Sequence, residues 1–156
     1  MKALEMAAVA VLMLAADAVA GGYRPANDDE VEVFAAALRS EYAANHWRAG
    51  ELICFSVGGK DPSGKLVAAL RRRGPHVCSQ AEWRKRLACR FTVYLQPVEF
   101  NSPDSARVRF ASADFREVNE GIAHLVDGLR EGEYVLRKTN GAWSVLSYTP
   151  DRTFQH

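Results

Sequence analysis

EYVLRKTNGAWSVLSYT, residues 133–149, is the stretch that decides the architecture. Tyr134 and Leu136 on one side, and Trp143 and Val145 on the other, alternate with polar neighbours, the period-two pattern of strands that bury one face. Between them stands Asn140-Gly141, the dipeptide best suited to the two positive φ angles of a type I′ turn. Two strands, about 133–138 and 143–149, are therefore expected to form an antiparallel hairpin that ends the domain.

Working outward toward the N-terminus, residues 106–113 alternate in the same way, with Arg107 and Arg109 opposite Val108 and Phe110, and should pair antiparallel with a neighbour. Asn101-Ser102-Pro103-Asp104 reads as a turn. Before it, Phe91, Val93 and Leu95 alternate with Thr92, Tyr94 and Gln96 until Pro97, which marks a bulge or an edge. Gly121 and Gly128 interrupt residues 118–132; a separate strand near 121–126 is expected, with a short helix as the alternative. Upstream, residues 51–57 (ELICFSV) are strand-like and Gly58-Gly59 ends them. Asp61 can cap, and Pro62 can open, a helix through Leu66, Val67 and Leu70 to Arg73, closed by Gly74-Pro75. Residues 29–45 carry Val31, Phe34, Ala35, Leu38 and Tyr42 at helical spacing, with Asp28 and Asp29 as cap and first-turn acids and Gly50 as terminator. The expected fold class is α+β: two helices packed on a curved, mainly antiparallel sheet ending in a β-hairpin.

Residues 1–20 read as a signal peptide: Lys2, an apolar run from Met6 to Ala16, then Ala18-Val19-Ala20 before Gly21-Gly22. The run is shorter than the roughly 20 apolar residues of a membrane span, so no transmembrane segment is expected in the remaining chain. Residues 21–156 have the size of a single α+β domain, periplasmic or secreted. The formal net charge of +1 implies neither nucleic acid nor a membrane surface as partner. An oxidising compartment would allow the three cysteines one disulfide; Cys78 with Cys89 is the expected pair, and Cys54 with either of them stays open.

Several patterns bear on chemistry. Gly59-Lys60-Asp61-Pro62-Ser63-Gly64-Lys65 has phosphate-loop spacing, but Leu66 replaces the magnesium-binding hydroxyl and Pro62 removes an amide. His76, Cys78 and Cys89 lack the paired spacing of a zinc site; neither a metal nor a cofactor is implied. For an acid–base site in a sheet-lined pocket the available residues are Tyr94, Asp114, His124 and Tyr134. Arg71, Arg72, Arg73, Arg84, Lys85, Arg86 and Arg90 form a basic patch opposed by Glu82. Such a patch suits an envelope protein or an anionic glycan; with only Trp83 among the charges it lacks the stacking aromatics of a nucleic-acid site.

Two resemblances add to this reading. Ile53 to Ser63 (ICFSVGGKDPS), with Tyr134 to Arg137 and Gly141 to Val145, resembles small exported bacterial proteins of uncharacterised function. The helix-then-meander order is similar to the cone-shaped fold of nuclear transport factor 2 and the ketosteroid isomerases, which implies a ligand pocket between sheet and helices. The leading expectation is a non-enzymatic binding module of the cell envelope; the alternative is a small-ligand or isomerase-like pocket.

Overall fold

A computed structural model describes residues 22–47, 51–79, 81–82, 91–118 and 122–151. The expected leader, Cys89 and the basic residues Arg84, Lys85, Arg86 and Arg90 lie outside them.

Helix α1 (Asp28–Ala44) starts at Asn27, whose side chain accepts the Glu30 N–H at 2.9 Å. The cap is thus Asn27 instead of Asp28 or Asp29, which sit with Glu30 in the first turn, where acids complement the helix dipole. The helix closes at His46, φ 55°, where the Trp47 N–H reaches back to Tyr42 O at 3.0 Å, the 6→1 bond of a Schellman turn. Gly50, the expected terminator, lies outside the described residues.

Strand β1 (Ile53–Val57) is followed by α2 (Gly64–Arg71), capped by Ser63, whose Oγ accepts the Leu66 N–H at 3.3 Å. Asp61, the expected cap, accepts the Ala81 N–H instead, and Pro62 precedes the helix without opening it. Strand β2 (Val77–Cys78) lies parallel to β1, so α2 is the crossover of a β-α-β unit. Strands β3 (Phe91–Leu95), β4 (Glu99–Ser102), β5 (Ser105–Val118), β6 (Ile122–Thr139) and β7 (Ala142–Pro150) complete a seven-stranded sheet of order β2-β1-β3-β5-β6-β7, with β4 on β5. β3 runs parallel to β1, and every later pairing is antiparallel. The fold is therefore α+β: among the described residues, two helices on a mainly antiparallel, open sheet with a C-terminal hairpin. That hairpin turns at Asn140 (φ 51°) and Gly141 (φ 79°), the two left-handed positions a type I′ turn requires.

Two elements differ from the pattern reading. Residues 99–102, part of which was expected as turn, pair with β5 as a short strand, leaving only Pro103-Asp104 to reverse the chain. The strands expected at 121–126 and 133–138 are one 18-residue strand: Gly128, read as an interruption, falls at a register shift inside it and does not end it, and Gly132, further along, is a close-approach residue. A Cβ there would lie 2.4 Å from the Tyr148 ring and 2.5 Å from Thr149 O on β7. Glycine is what allows the two strands to pass at this point.

Val31, Phe34, Ala35 and Leu38 of α1, and Leu66 and Leu70 of α2, pack with Ile53, Phe55, Val57, Val77, Val93, Leu95, Val108, Phe110, Tyr134 and Leu136 from alternate strand positions. The opposite face of the parallel strands is buried too: Cys54, Ser56, Cys78 and Thr92 are each less than a tenth exposed.

Candidate functional site

Where α1 ends, the chain leaves an open groove of about 600 Å³ walled by Arg39, Tyr42, Ala43, His46, Trp47, Gly74 and Pro75. The wall follows from how the helix stops. His46 takes the left-handed conformation, which folds the chain back and places Trp47 against Phe91, the rings stacked at 4.4 Å, with the Tyr42 ring edge-on at 5.8 Å. The Tyr42 hydroxyl lies 2.5 Å from Glu51 O and 2.9 Å from His76 O, donating between them and joining the helix, the segment leading into β1 and the 74–76 turn. Arg39, exposed, donates to Arg73 O at 3.0 Å and so spans the groove from α1 to the end of α2. Trp, Tyr and Arg are the side chains that contribute most at binding surfaces, because each combines large contact area with a polar handle.

The sequence-derived basic patch is only partly a surface feature. Arg71 donates Nε–H to Val77 O at 2.9 Å and pairs with Glu82 at 3.4 Å. Arg73 pairs with Glu32 at 2.5 Å and donates to Ala69 O at 2.9 Å. Both therefore fasten the C-terminal end of α2, where free carbonyls favour cations. Arg72, exposed on the same turn, stands two residues before the groove's Gly74. Of the expected patch, then, Arg71 and Arg72 are exposed, and Arg72 has no part in these fastening contacts; the residues from 84 to 90 lie outside the described set.

A second polar constellation is interior. Glu41 is completely buried on the sheet-facing side of α1. Its Oε1 accepts from Arg130 Nη1 at 2.6 Å and from the Tyr134 hydroxyl; its Oε2 accepts from the Ser112 hydroxyl at 2.7 Å and from Asn45 Nδ2 at 2.9 Å. The Arg130 guanidinium stands over the Tyr148 ring at 4.2 Å and the Phe110 ring at 5.4 Å, a cation–π setting that favours retaining its charge. Burial, then the hydrogen bond to Glu41, pushes the Tyr134 hydroxyl well above the usual tyrosine range, so it stays a proton donor. With four donors on two oxygens the carboxylate is fully engaged: it clamps α1 to β5 and β6. Position 41 continues the apolar stripe from Phe34 and Leu38 at helical spacing, and an acid at such a position was the available sequence sign of a buried, paired carboxylate.

The remaining sequence candidates are not brought together. Tyr94 is exposed on the face away from the helices, whereas Tyr134 is buried on the helix side; the side chains of Asp114 and His124 lie outside the described residues. The phosphate-loop look-alike spends its backbone within the fold. Ser63 N–H goes to Tyr23 O at 2.9 Å, Lys60 N–H to Val57 O at 3.0 Å, and Tyr23 N–H takes Asp61 O at 2.7 Å. Cys78 lies in register with Cys54. Among the described residues no group of three potential metal ligands converges, and no helix is long and apolar enough to cross a membrane.

No family model matches the chain, and no curated protein gives a significant match. The resemblances to small exported bacterial proteins and to the nuclear transport factor 2 fold rest on sequence pattern alone.

Proposed function

We propose that the chain is a non-enzymatic binding protein of the cell envelope, exported by its N-terminal leader, whose site is the groove at the end of α1 and whose partner is an anionic glycan. The observation that carries the reading is the groove itself: an open cavity of about 600 Å³ with Tyr42 and Trp47 in its wall and Arg39 at its rim. That volume falls in the range of about 300–1,000 Å³ typical of small-molecule sites and accommodates one or two sugar rings. Sugar rings present apolar C–H faces that pack on aromatic side chains, and uronate carboxylates pair with guanidinium groups. Arg39 and Arg72 supply the positive charge, and the basic residues Arg84, Lys85, Arg86 and Arg90 belong to the same sequence neighbourhood. The interior carboxylate Glu41 is saturated by its own donors, which leaves it no role as an acid or base toward a ligand.

The test is calorimetric titration of the full chain, recovered after leader processing, with an oligogalacturonate and with a neutral oligosaccharide of equal length. Binding of the uronate alone, weakened several-fold by Arg39→Ser and by raising the salt from about 0.05 to 0.5 M, is the expected result. Equal binding of the neutral sugar, or indifference to Arg39→Ser, overturns it. Binding of an oligoglutamate peptide in preference to the uronate would transfer the groove to an acidic protein partner. A mass spectrum of the periplasmic protein that begins at Gly21 supports export; an uncleaved cytoplasmic chain removes the envelope from the reading.

A further inference from the structure

β2 has only two residues, and one of them is a cysteine held beside another. Ile53 pairs with Val77 and Cys54 with Cys78 in parallel register. In-register neighbours on adjacent strands project from the same side of a sheet, and Val77 and Ile53 both enter the helix-side core. Cys54 and Cys78 therefore share the opposite face, where they form their own buried cluster flanked by Leu52. They are 1% and 2% exposed, and 4.4 Å apart with no disulfide between them. Strands pair at about 4.8 Å, inside the roughly 4.4–6.8 Å between Cα atoms that a disulfide spans. The strand spacing thus puts the pair within reach of a bridge, closed by side-chain rotation and a small approach of the two Cβ atoms.

We propose that Cys54 and Cys78 are the chain's disulfide pair, and that their oxidation staples the edge strand β2 to β1. The step is a two-electron oxidation: each thiol gives up its proton, one S–S bond forms, and the electrons pass to a protein or glutathione disulfide, which is cleaved to two thiols. The attacking sulfur needs access, and β2 supplies it. Among the described residues β2 is a two-residue strand at the sheet margin, held to β1 by a short ladder with Ile53 N–H to His76 O at 2.9 Å among its bonds, and such edges open locally far more often than the whole domain unfolds. Closure would lock the segment from His76 to Cys78, to which the Tyr42 hydroxyl is bonded, and with it the Gly74-Pro75 wall of the groove. The pairing differs from the Cys78–Cys89 bridge that spacing suggests, and it stands independently of which ligand the groove takes.

The experiment uses the full-length chain and a Cys89→Ser variant. Both are equilibrated with oxidised glutathione, denatured, alkylated with iodoacetamide and weighed intact, then digested without reduction. The expected result is a loss of about 2 Da in both proteins, one alkylated cysteine in the wild type and none in Cys89→Ser, and a linked peptide pair carrying Cys54 and Cys78. A linkage to Cys89 in the wild type, or a Cys89→Ser protein with both cysteines alkylated, overturns the proposal. If Cys89→Ser fails to fold, as judged by far-ultraviolet dichroism, the wild-type peptide map decides alone.

Discussion

Replacing Glu41 by Gln tests the interior clamp that joins α1 to the long strands. The side chain keeps its shape but loses its charge, and it meets four donors with one oxygen instead of two. If the amide oxygen stays toward Arg130 and Tyr134, the new NH₂ group faces the Ser112 hydroxyl, which can turn and accept, and the Asn45 amide, which cannot donate to it. The ion pair Arg130–Glu41, 2.6 Å long, becomes an ordinary hydrogen bond, and the arginine stays three-quarters buried without a counter-charge. Breaking a buried pair from one side costs about 3–5 kcal/mol. Discounting for the exposed quarter of Arg130 and for its cation–π contacts, a loss of about 2–4 kcal/mol is expected, a substantial share of the roughly 5–15 kcal/mol by which domains are stable. Urea titration at pH 7 followed by far-ultraviolet dichroism measures it as a lower midpoint at constant slope. Tyr134→Phe removes one donor and should cost about 1.5–3 kcal/mol; because both changes strike the same network, the double variant should cost less than the sum of the singles. A loss below about 1 kcal/mol in Glu41→Gln, or strict additivity with Tyr134→Phe, would refute the clamp.

Three further outcomes follow from single contacts. Gly132→Ala places a Cβ within 2.5 Å of both the Tyr148 ring and Thr149 O, and should lower stability by about 2–3 kcal/mol in the same titration; an unchanged midpoint would show that β6 and β7 do not pass this closely. Ser56 buries a hydroxyl with no hydrogen-bond partner, so Ser56→Ala should be neutral or raise stability by up to about 1 kcal/mol, and a drop beyond about 0.5 kcal/mol would mean that the hydroxyl is satisfied. Asp29 accepts from Lys138 Nζ at 2.8 Å and Trp143 Nε1 at 2.9 Å, which holds its carboxyl below the usual aspartate range, the Lys138 hydrogen bond first among the causes. A depressed carboxyl stabilises above its unfolded value of about 3.9 and loses that contribution as pH falls through the lower folded value. Asp29→Asn should therefore cost under about 1 kcal/mol at pH 7, the pair being partly exposed, and progressively less below pH 4 in thermal melts; a deficit that grows on acidification would contradict the assignment.

How much of this was readable varies with the range of the interaction involved. The closing hairpin was legible because a type I′ turn is a local demand: two adjacent residues must take positive φ, and Asn140-Gly141 takes them with little strain. Helix α1 was legible from the spacing of Val31, Phe34, Leu38 and Tyr42, and β3 and β5 from alternation, since periodicity records which face is buried. Its boundaries were less so: Asn27 and Ser63 cap where Asp28, Asp29 and Asp61 were equally suitable by type, and backbone geometry alone chose between them.

The neighbours of each strand were decided only in three dimensions. Nothing local in ICFSV or FTVYL says that these strands lie side by side and parallel, because pairing is a contact between residues far apart in sequence. The role of Gly132 was hidden for the same reason: the atoms that require a glycine there belong to Tyr148 and Thr149. The site divides likewise. Clustered arginines are visible in a string of letters, but whether Arg71 and Arg73 serve a partner or their own helix depends on how the chain folds back to offer the Val77 and Ala69 carbonyls and, from far along the chain, Glu32. The sequence by itself determined the two helices, the strands β1, β3 and β5 and the closing hairpin, because torsional preference and burial period are properties of neighbouring residues. The tertiary structure decided the groove beside Arg39, the partners of Glu41 and the nearness of Cys54 to Cys78, because each is an encounter between segments whose separation along the chain leaves no periodic trace.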